Sequence, residues 1–306
     1  MITIKNVLLA LLGGFGLVFA VRWARAATAS LAAGTPRTPS PVQLAIGFVT
    51  NFFDTLGIGS FATTTTAYKM LRLVPDENIP GTLIIGHALP VAIQALIFIV
   101  IVRVDSVVLL TLIAASVVGG WLGADIVSKL PRRPIQIGMG TALLAAAGFM
   151  AATQLGLLPS GGATLGLPTD RLIIAAVVNF ILGALLMLGI GNYGPCLVML
   201  SLMGMDPRAA FPVMMSTGAL VLMVGGLKFI DTGRYDLRAA LGLAAGGIPA
   251  VLVAGLLVKS LPLDTLRWGV VVVVIYAAFA MLRSARADTT ASPGPPASAP
   301  APALRI

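Results

Sequence analysis

Two short stretches of the chain place polar side chains and paired glycines inside otherwise hydrophobic segments. The first is NFFDTLGIGSFATTTTAY, Asn51–Tyr68, and the second is MLGIGN, Met187–Asn192. Each glycine pair is expected to interrupt a helix, so that a new helix begins near Ser60 and another near Asn192. The first turn of each new helix exposes free N–H groups and the positive end of a helix dipole. Two such helix ends, brought together, predict a binding site for a small anion.

Side chains beside the glycines add hydrogen-bonding groups to this predicted site. Hydroxyl, amide and thiol groups occur where a segment built only for packing would carry Ala, Leu or Val. The predicted substrate-binding residues are Gly57, Gly59, Ser60, Thr63, Thr64, Gly189, Gly191, Asn192, Tyr193 and Cys196. An alternative stays open for each hydroxyl, because Ser and Thr also bond the carbonyl four residues back, and small residues also mediate helix packing.

Three ionisable residues are candidates for moving protons or attracting anions. Asp54 precedes the first glycine pair, and a buried acid that takes up a proton would couple anion movement to that proton. The alternative for Asp54 is a hydrogen-bonded acid near the membrane interface. His87 is either a proton relay or a hydrogen-bonded core residue. Lys228 either draws anions to an entrance or extends from a helix end to the interface.

The composition predicts that the elements holding these residues lie in lipid. Of the 306 residues, 58% are hydrophobic and 10% are charged, with a mean hydropathy of +1.00; a soluble domain carries about 25% charged residues. The net charge of +9 comes from Lys and Arg scattered between apolar runs, so no nucleic-acid partner is expected. One cysteine and one histidine predict no disulfide within the chain, no metal site and no cofactor.

The two glycine pairs belong to an internal duplication. TLGIGS at Thr55–Ser60 returns as MLGIGN at Met187–Asn192, an offset of 132 residues. The same offset pairs Pro75 with Pro207, Pro80 with Pro212 and Gly86 with Gly218. Glycine and proline fix backbone geometry, so their ordered recurrence predicts two copies of one structural unit.

Each unit divides into four hydrophobic segments. The first unit contains Val42–Leu71, Ile79–Val102, Val107–Leu130 and Pro134–Leu157, and the second contains Arg171–Met203, Arg208–Ile230, Leu237–Lys259 and Leu263–Leu282. The first segment of each unit, which holds the glycine pair, either spans the membrane or enters and returns to the same side. The second arrangement puts six of the 20 Lys and Arg residues outside and fourteen inside, as the positive-inside rule prefers. Three full spans then follow each re-entrant segment, so the two units point in opposite directions.

The fold prediction is therefore an all-α polytopic membrane protein with two inverted repeats. Each repeat has a glycine-broken re-entrant segment and three transmembrane helices, and one N-terminal helix precedes both. The predicted divisions are an N-terminal helix (1–28), a linker (29–41), repeat 1 (42–157), an inter-repeat loop (158–170), repeat 2 (171–284) and a disordered Pro/Ala-rich tail (285–306). The N-terminal run is either a retained helix or a signal peptide, and the arginines that follow it favour retention.

The glycine-broken halves GFVTNFFDTLGIGSFATTTT and NFILGALLMLGIGNYGPCLV resemble the TauE/SafE family of sulfite exporters. LMVGGLKFIDTGRYD and GGIPAVLVAGLLVKSLPLDTLRWGVVVVVIYAAFAML are also similar to the second repeat of that family, so the resemblance covers Pro41–Leu282. It implies a carrier of small anions, such as sulfite or an organosulfonate, in a bacterial inner membrane. Relatives that carry thiosulfate use several cysteines along the path, whereas this chain has only Cys196.

The sequence thus favours a secondary transporter whose partners are a small anion and the lipid bilayer. The alternative is a membrane scaffold or assembly factor that transports nothing. An enzyme is not predicted, since no nucleophile–base pair or metal cluster has usable spacing. The G-x-x-x-x-G-K-[ST] motif is also missing from the sequence, which disfavours an ATP-driven pump.

Overall fold

The computed structural model describes residues 4–32, 38–57, 59–75, 78–123, 132–157, 162–187, 191–260 and 263–287. These residues form helices and no β-strand. In chain order the helices are α1 (Ile4–Ala32), α2 (Pro41–Thr55), α3 (Phe61–Met70), α4 (Ile79–Ile101), α5 (Ser106–Val118, continued by a π-helical turn Gly119–Gly123), α6 (Arg132–Gln154), α7 (Thr169–Leu186), α8 (Tyr193–Leu202), α9 (Pro207–Thr232), α10 (Leu237–Ser260) and α11 (Leu263–Ala287).

Five helices within the described ranges are long and apolar enough to cross a membrane. They are α1, α4, α7, α9 and α10. This confirms the coarse prediction of an all-α, multi-pass membrane protein. By contrast, α2 has 15 residues and α3 has 10. At a rise of 1.5 Å per residue, α2 is about 22 Å long, shorter than the roughly 30 Å hydrocarbon core.

The α2–α3 segment enters and leaves at the same end of the bundle. A Cβ atom on Gly242, in the second turn of α10, would lie 2.6 Å from Cβ of Gln43 in the first turn of α2. Tyr68, near the end of α3, donates a hydrogen bond from its hydroxyl to the carbonyl of Ala239, one turn earlier in α10, at 3.2 Å. The start of α2 and the end of α3 therefore both contact the beginning of α10.

The α7–α8 segment makes the same return in the second half of the chain. Arg171, near the start of α7, donates from Nη1 to the carbonyl of Met203, directly after α8, at 2.7 Å. The two ends of this segment thus lie beside each other, 32 residues apart in sequence.

Helices α4 and α9 occupy equivalent positions in the duplication and run in opposite directions. A Cβ atom on Gly81, near the start of α4, would lie 2.7 Å from Cδ1 of Phe229 near the end of α9. At the other end, the rings of Phe98 in α4 and Phe211 in α9 lie 5.1 Å apart. The contacts therefore pair the start of each helix with the end of the other.

Glycines allow the closest helix contacts. A Cβ atom on Gly246 in α10 would meet the backbone of Leu44 in α2. In the other half, a Cβ atom on Gly119 would meet the backbone of Phe180 in α7. The equivalent pairs α2–α10 and α7–α5 are thus both packed backbone to backbone. Small residues at such crossings are the usual basis of helix association in lipid.

Helix α1 packs against both α4 and α9. Phe19 is fully buried, and its ring lies against Gly226 of α9. Lys5 donates from Nζ to the carbonyl of Val100 in α4 at 2.9 Å. The helix extends to Ala32, into the range predicted as a linker, and residues 33–37 of that linker lie outside the described ones. Helix α11 likewise continues to Ala287, and the remainder of the predicted tail, 288–306, lies outside the described residues.

Arg72 and Gly204, which the 132-residue offset pairs, end α3 and α8 with the same backbone turn. Arg72 has a φ of 49° and Gly204 a φ of 94°. The N–H of Leu73 bonds the carbonyl of Tyr68, and the N–H of Met205 bonds the carbonyl of Leu200. Positive φ favours glycine, so Arg72 carries the strain that Gly204 avoids.

We expect Arg72→Gly to stabilise the protein by about 1 kcal/mol, because glycine adopts this φ without strain. Gly204→Ala should destabilise it by a similar amount or more. Thermal unfolding of the detergent-purified variants measures both effects. A higher melting temperature in Arg72→Gly and a lower one in Gly204→Ala support the shared turn. Melting temperatures that shift in the same direction would contradict it.

Candidate functional site

The first helix break is a short loop whose glycines adopt positive φ. Gly57 has a φ of 95° and Gly59 a φ of 80°, values that side chains rarely allow. Gly57 packs against the rings and side chains of α9, with Phe211 and Met214 3.6 Å from the position of a Cβ atom. In the second break, residues 188–190, which include the predicted Gly189, lie outside the described residues.

Both breaks line one small cavity between α2, α3, α4, α7, α8 and α9. Its volume is about 10 Å³, room for about one water molecule. Its lining consists of Asp54, Gly59, Ser60, Phe61, Val91, Leu186, Gly191, Asn192, Tyr193, Gly218 and Leu222. Eight of these form four pairs at the 132-residue offset: Asp54 with Leu186, Gly59 with Gly191, Ser60 with Asn192, and Phe61 with Tyr193. The two halves of the chain therefore contribute equivalent positions to a single site.

Asp54 faces the donors of the first break. Its carboxylate lies within interaction range of the hydroxyl and the backbone N–H of Ser60. It accepts a hydrogen bond from Gln94, whose Nε2 lies 3.0 Å from Asp54 Oδ2. The hydroxyl of Ser60 makes no capping bond to its own helix α3. The sequence treated Ser60 and Asp54 as separate candidates, and the structure joins them in one contact.

The second break has equivalent donors but no acid. Leu186 stands where the first half has Asp54, and it offers no acceptor. Asn192 is 1% exposed, and its Nδ2 has no hydrogen-bond partner among the described residues. Nor does its side chain cap α8. A buried amide without a partner costs roughly 1–3 kcal/mol, which a ligand in the cavity would recover.

Gln94 connects the first break to the second. Its Nε2 donates to Asp54 Oδ2 and to Thr55 Oγ1, each at 3.0 Å. Its Oε1 accepts a hydrogen bond from the hydroxyl of Tyr193 at 3.2 Å. The ring of Tyr193 lies close to Gly218, where a Cβ atom would be 3.0 Å from the ring carbon Cε1. A polar chain therefore runs from Ser60 through Asp54 and Gln94 to Tyr193.

His87 belongs to a neighbouring polar cluster and does not line the cavity. Its Nδ1 lies 3.0 Å from Asn51 Oδ1, and its Nε2 lies 3.1 Å from Thr64 Oγ1. The imidazole ring also contacts Phe61, with ring centres 5.8 Å apart. Both ring nitrogens are thus engaged, which fits the alternative of a hydrogen-bonded core histidine.

Besides His87 and its partner Thr64, four further predicted residues do not line the cavity: Gly57, Thr63, Cys196 and Lys228. Thr63 donates to the carbonyl of Ser60 at 2.8 Å. The Cys196 sulfur lies 3.8 Å from Asn179 Oδ1 in a fully buried position. Gly57 supports the turn against α9. Lys228 is exposed in the last two turns of α9, which fits a side chain that extends to the interface.

Sequence reasoning missed the apolar part of the lining. Phe61 and Leu186 are the repeat partners of Tyr193 and Asp54, so applying the offset to those two residues would have found them. Val91 and Leu222 carry no such signal, because the orientation of α4 and α9 about their own axes decides which of their side chains face the cavity. Gln94 is not among the predicted substrate-binding residues, whereas in the structure it hydrogen-bonds to both Asp54 and Tyr193.

Within the described residues, no three or more His, Cys, Asp or Glu side chains are grouped to hold a metal ion. The described lining contains one acidic residue, Asp54, and neither Lys nor Arg. Comparisons with protein-family models, curated proteins and solved structures find no match to this chain.

Proposed function

We propose that the protein is a secondary membrane transporter of a small anion, with sulfite or an organosulfonate as the substrate class. The observation that carries the proposal is the cavity where both helix breaks meet, with the unpartnered amide of Asn192 in its lining. Irregular backbone at membrane depth is tolerated only where it is covered by protein or lines a cavity. Such breaks at the junction of two repeats are typical of transporter binding sites.

The proposed architecture is a pair of inverted repeats. The antiparallel course of α4 and α9 supports it, because equivalent helices of parallel repeats would run the same way. The return of the α2–α3 and α7–α8 segments to their starting ends supports re-entrant hairpins, although α7 by itself is long enough to cross a membrane. In the proposed orientation the loop after α3 faces the cytoplasm, with fourteen of the 20 Lys and Arg residues on that side.

The proposed site holds an anion through neutral donors. The first turns of α3 and α8 present N–H groups that have no acceptor within their helices, and neither helix has a side-chain cap. The positive ends of both helix dipoles add to their attraction for negative charge. The present cavity holds about one water, so an anion requires the surrounding helices to separate. We propose that this conformation is the closed state of the transport cycle.

The substrate class and the location rest on the resemblance to the TauE/SafE family. We place the protein in a bacterial inner membrane on the same ground. A scaffold would gain nothing from an unpartnered amide inside a cavity, so the geometry favours transport over that alternative.

Flux into liposomes tests the proposal. Purified protein should carry radiolabelled sulfite, sulfate or methanesulfonate down an imposed gradient, faster than protein-free liposomes. Leu256→Ala serves as a control, because Leu256 is 75% exposed on α10 and does not line the cavity. This variant should match the wild type. Absence of flux for all three anions would reject the proposed function.

A further inference from the structure

The two halves of the cavity differ in one respect that the duplication does not require. At the position where repeat 1 has Asp54, repeat 2 has Leu186. In the first break a carboxylate of the chain itself therefore faces the hydroxyl and N–H of Ser60, and both residues line the cavity. The donor of the second break, Asn192 Nδ2, has no partner among the described residues. The first half therefore resembles a site with its ligand in place, and the second half resembles the same site empty.

We infer that Asp54 is an internal competitor for the substrate and carries one proton with each anion, so that the protein is a proton–anion symporter. The inference rests on the proposed transport of a small anion and adds the second transported species. An ionised Asp54 holds the donors of Ser60 and repels an incoming anion across a cavity of about 10 Å³. One proton, bound to the Asp54 carboxylate, removes the charge and frees the Ser60 donors for the substrate. No other covalent bond forms or breaks.

The surroundings of Asp54 hold no compensating positive charge within the described lining. Helix α4 contributes Gln94, and two turns earlier His87, whose nitrogens face Asn51 and Thr64. Helix α8 contributes Tyr193, which is bonded to Gln94. Helix α3 contributes Ser60, helix α7 contributes Leu186, and helix α10 presents glycines to α2. Among the residues just named, His87 and Tyr193 are the other titratable groups.

Gln94 links the protonation of Asp54 to both helix breaks. Its amide donates to Asp54 and accepts from Tyr193 at the start of α8. When the carboxylate is neutral, the bond from Gln94 loses its charge assistance and weakens. The contact that joins the two breaks is therefore strongest when Asp54 is ionised and the substrate absent. Protonation favours loosening of that contact together with anion entry.

Proton uptake on anion binding is the experiment. Purified wild-type protein in weakly buffered detergent solution is mixed with methanesulfonate, which does not itself titrate near neutral pH, between about pH 5 and pH 8. A pH indicator follows proton uptake, and thermal stability follows binding. We expect uptake to rise towards one proton per bound anion at the upper end of this range. At the upper end of this pH range, the affinity for methanesulfonate should fall about tenfold for each unit by which the pH rises.

Two variants assign the proton to its carrier. Asp54→Asn should bind methanesulfonate with an affinity independent of pH and without proton uptake. His87→Asn should keep the uptake of the wild type. Uptake that persists in Asp54→Asn, or that is lost in His87→Asn, would overturn the inference.

The wild-type measurement decides the question even if Asp54→Asn does not fold. Binding without proton uptake at every pH overturns the symport inference and leaves anion transport standing. No binding of methanesulfonate, together with no flux of any tested anion, rejects the proposed function itself.

Discussion

Replacing Asn192 with leucine should make the protein more stable and weaken its anion binding by about 10- to 100-fold. Asn192 is 1% exposed, and its Nδ2 lacks a partner among the described residues, so the folded state bears the cost of a desolvated donor. Leucine is similar in size and removes that cost, roughly 1–3 kcal/mol. The same change deletes a hydrogen bond to a charged ligand, worth about 1.5–3 kcal/mol, and each 1.4 kcal/mol is tenfold in affinity.

A matched control separates the two effects. Ser116 is fully buried near Gly183, its hydroxyl has no partner in the described part of the chain, and it does not line the cavity. Ser116→Ala should therefore also raise the melting temperature while leaving methanesulfonate affinity unchanged. Thermal unfolding with and without methanesulfonate measures both quantities. If Asn192→Leu binds methanesulfonate as tightly as the wild type, the Asn192 amide does not contact the anion.

Replacing Gly47 with valine should prevent stable folding. A Cβ atom at Gly47 would lie 2.5 Å from the carbonyl oxygen of Gly242 and 2.8 Å from Cα of Leu243. These are backbone atoms of α10, so no side chain can rotate away, and α2 would have to separate from α10. Overpacking of side chains usually costs about 1–3 kcal/mol, and a backbone clash at a central helix pair should exceed that range. Movement of α2 would also displace Asp54 and the first break.

Gly13→Val is the control for this prediction. A Cβ atom at Gly13 in α1 has no heavy atom within 4 Å, so the same substitution should change the unfolding free energy by less than about 0.5 kcal/mol. Size-exclusion profiles and thermal unfolding in detergent compare the two variants. A monodisperse Gly47→Val protein with wild-type stability would contradict the close packing of α2 on α10.

Most helices could be placed from the sequence, because apolar runs and their interruptions are local properties. The segment predicted at Ile79–Val102 is α4 at Ile79–Ile101, and the one predicted at Leu237–Lys259 is α10 at Leu237–Ser260. Both breaks lie between the helices where the glycine pairs predicted them. The segment predicted at Val107–Leu130 is less regular, since α5 passes into a π-helical turn at Gly119 beside the backbone of Phe180. The glycine pair at Gly119 and Gly120 is typical of a close helix contact, but the π-helical turn depends on packing against α7 and has no local signal.

The contacts within the site were harder to predict than its position. The 132-residue offset indicated that the breaks are equivalent, and they do line one cavity. Asp54 and Ser60 are six residues apart across a loop whose positive φ values at Gly57 and Gly59 turn the chain back on itself. Sequence identifies glycine as permissive but does not give the φ it adopts. The role of Gln94 depends on the rotation of α4 against α2 and α8, which is set by packing along all three helices.

In the proposed transport cycle, the two breaks form one site that opens to each side of the membrane in turn. Thiol accessibility tests it directly, because Cys196 is the single cysteine of the chain and does not line the cavity. In a Cys196→Ala background, Ser60→Cys is exposed to an anionic, membrane-impermeant methanethiosulfonate reagent from one side or the other of oriented liposomes. Leu71→Cys, at an exposed position after α3, is the control for sidedness.

The proposed transporter predicts that the cysteine at position 60 reacts from both sides and that methanesulfonate slows both reactions. The cysteine at position 71 should react from one side only. A cysteine at position 60 that reacts from neither side, or from the same single side under all conditions, would contradict the claim.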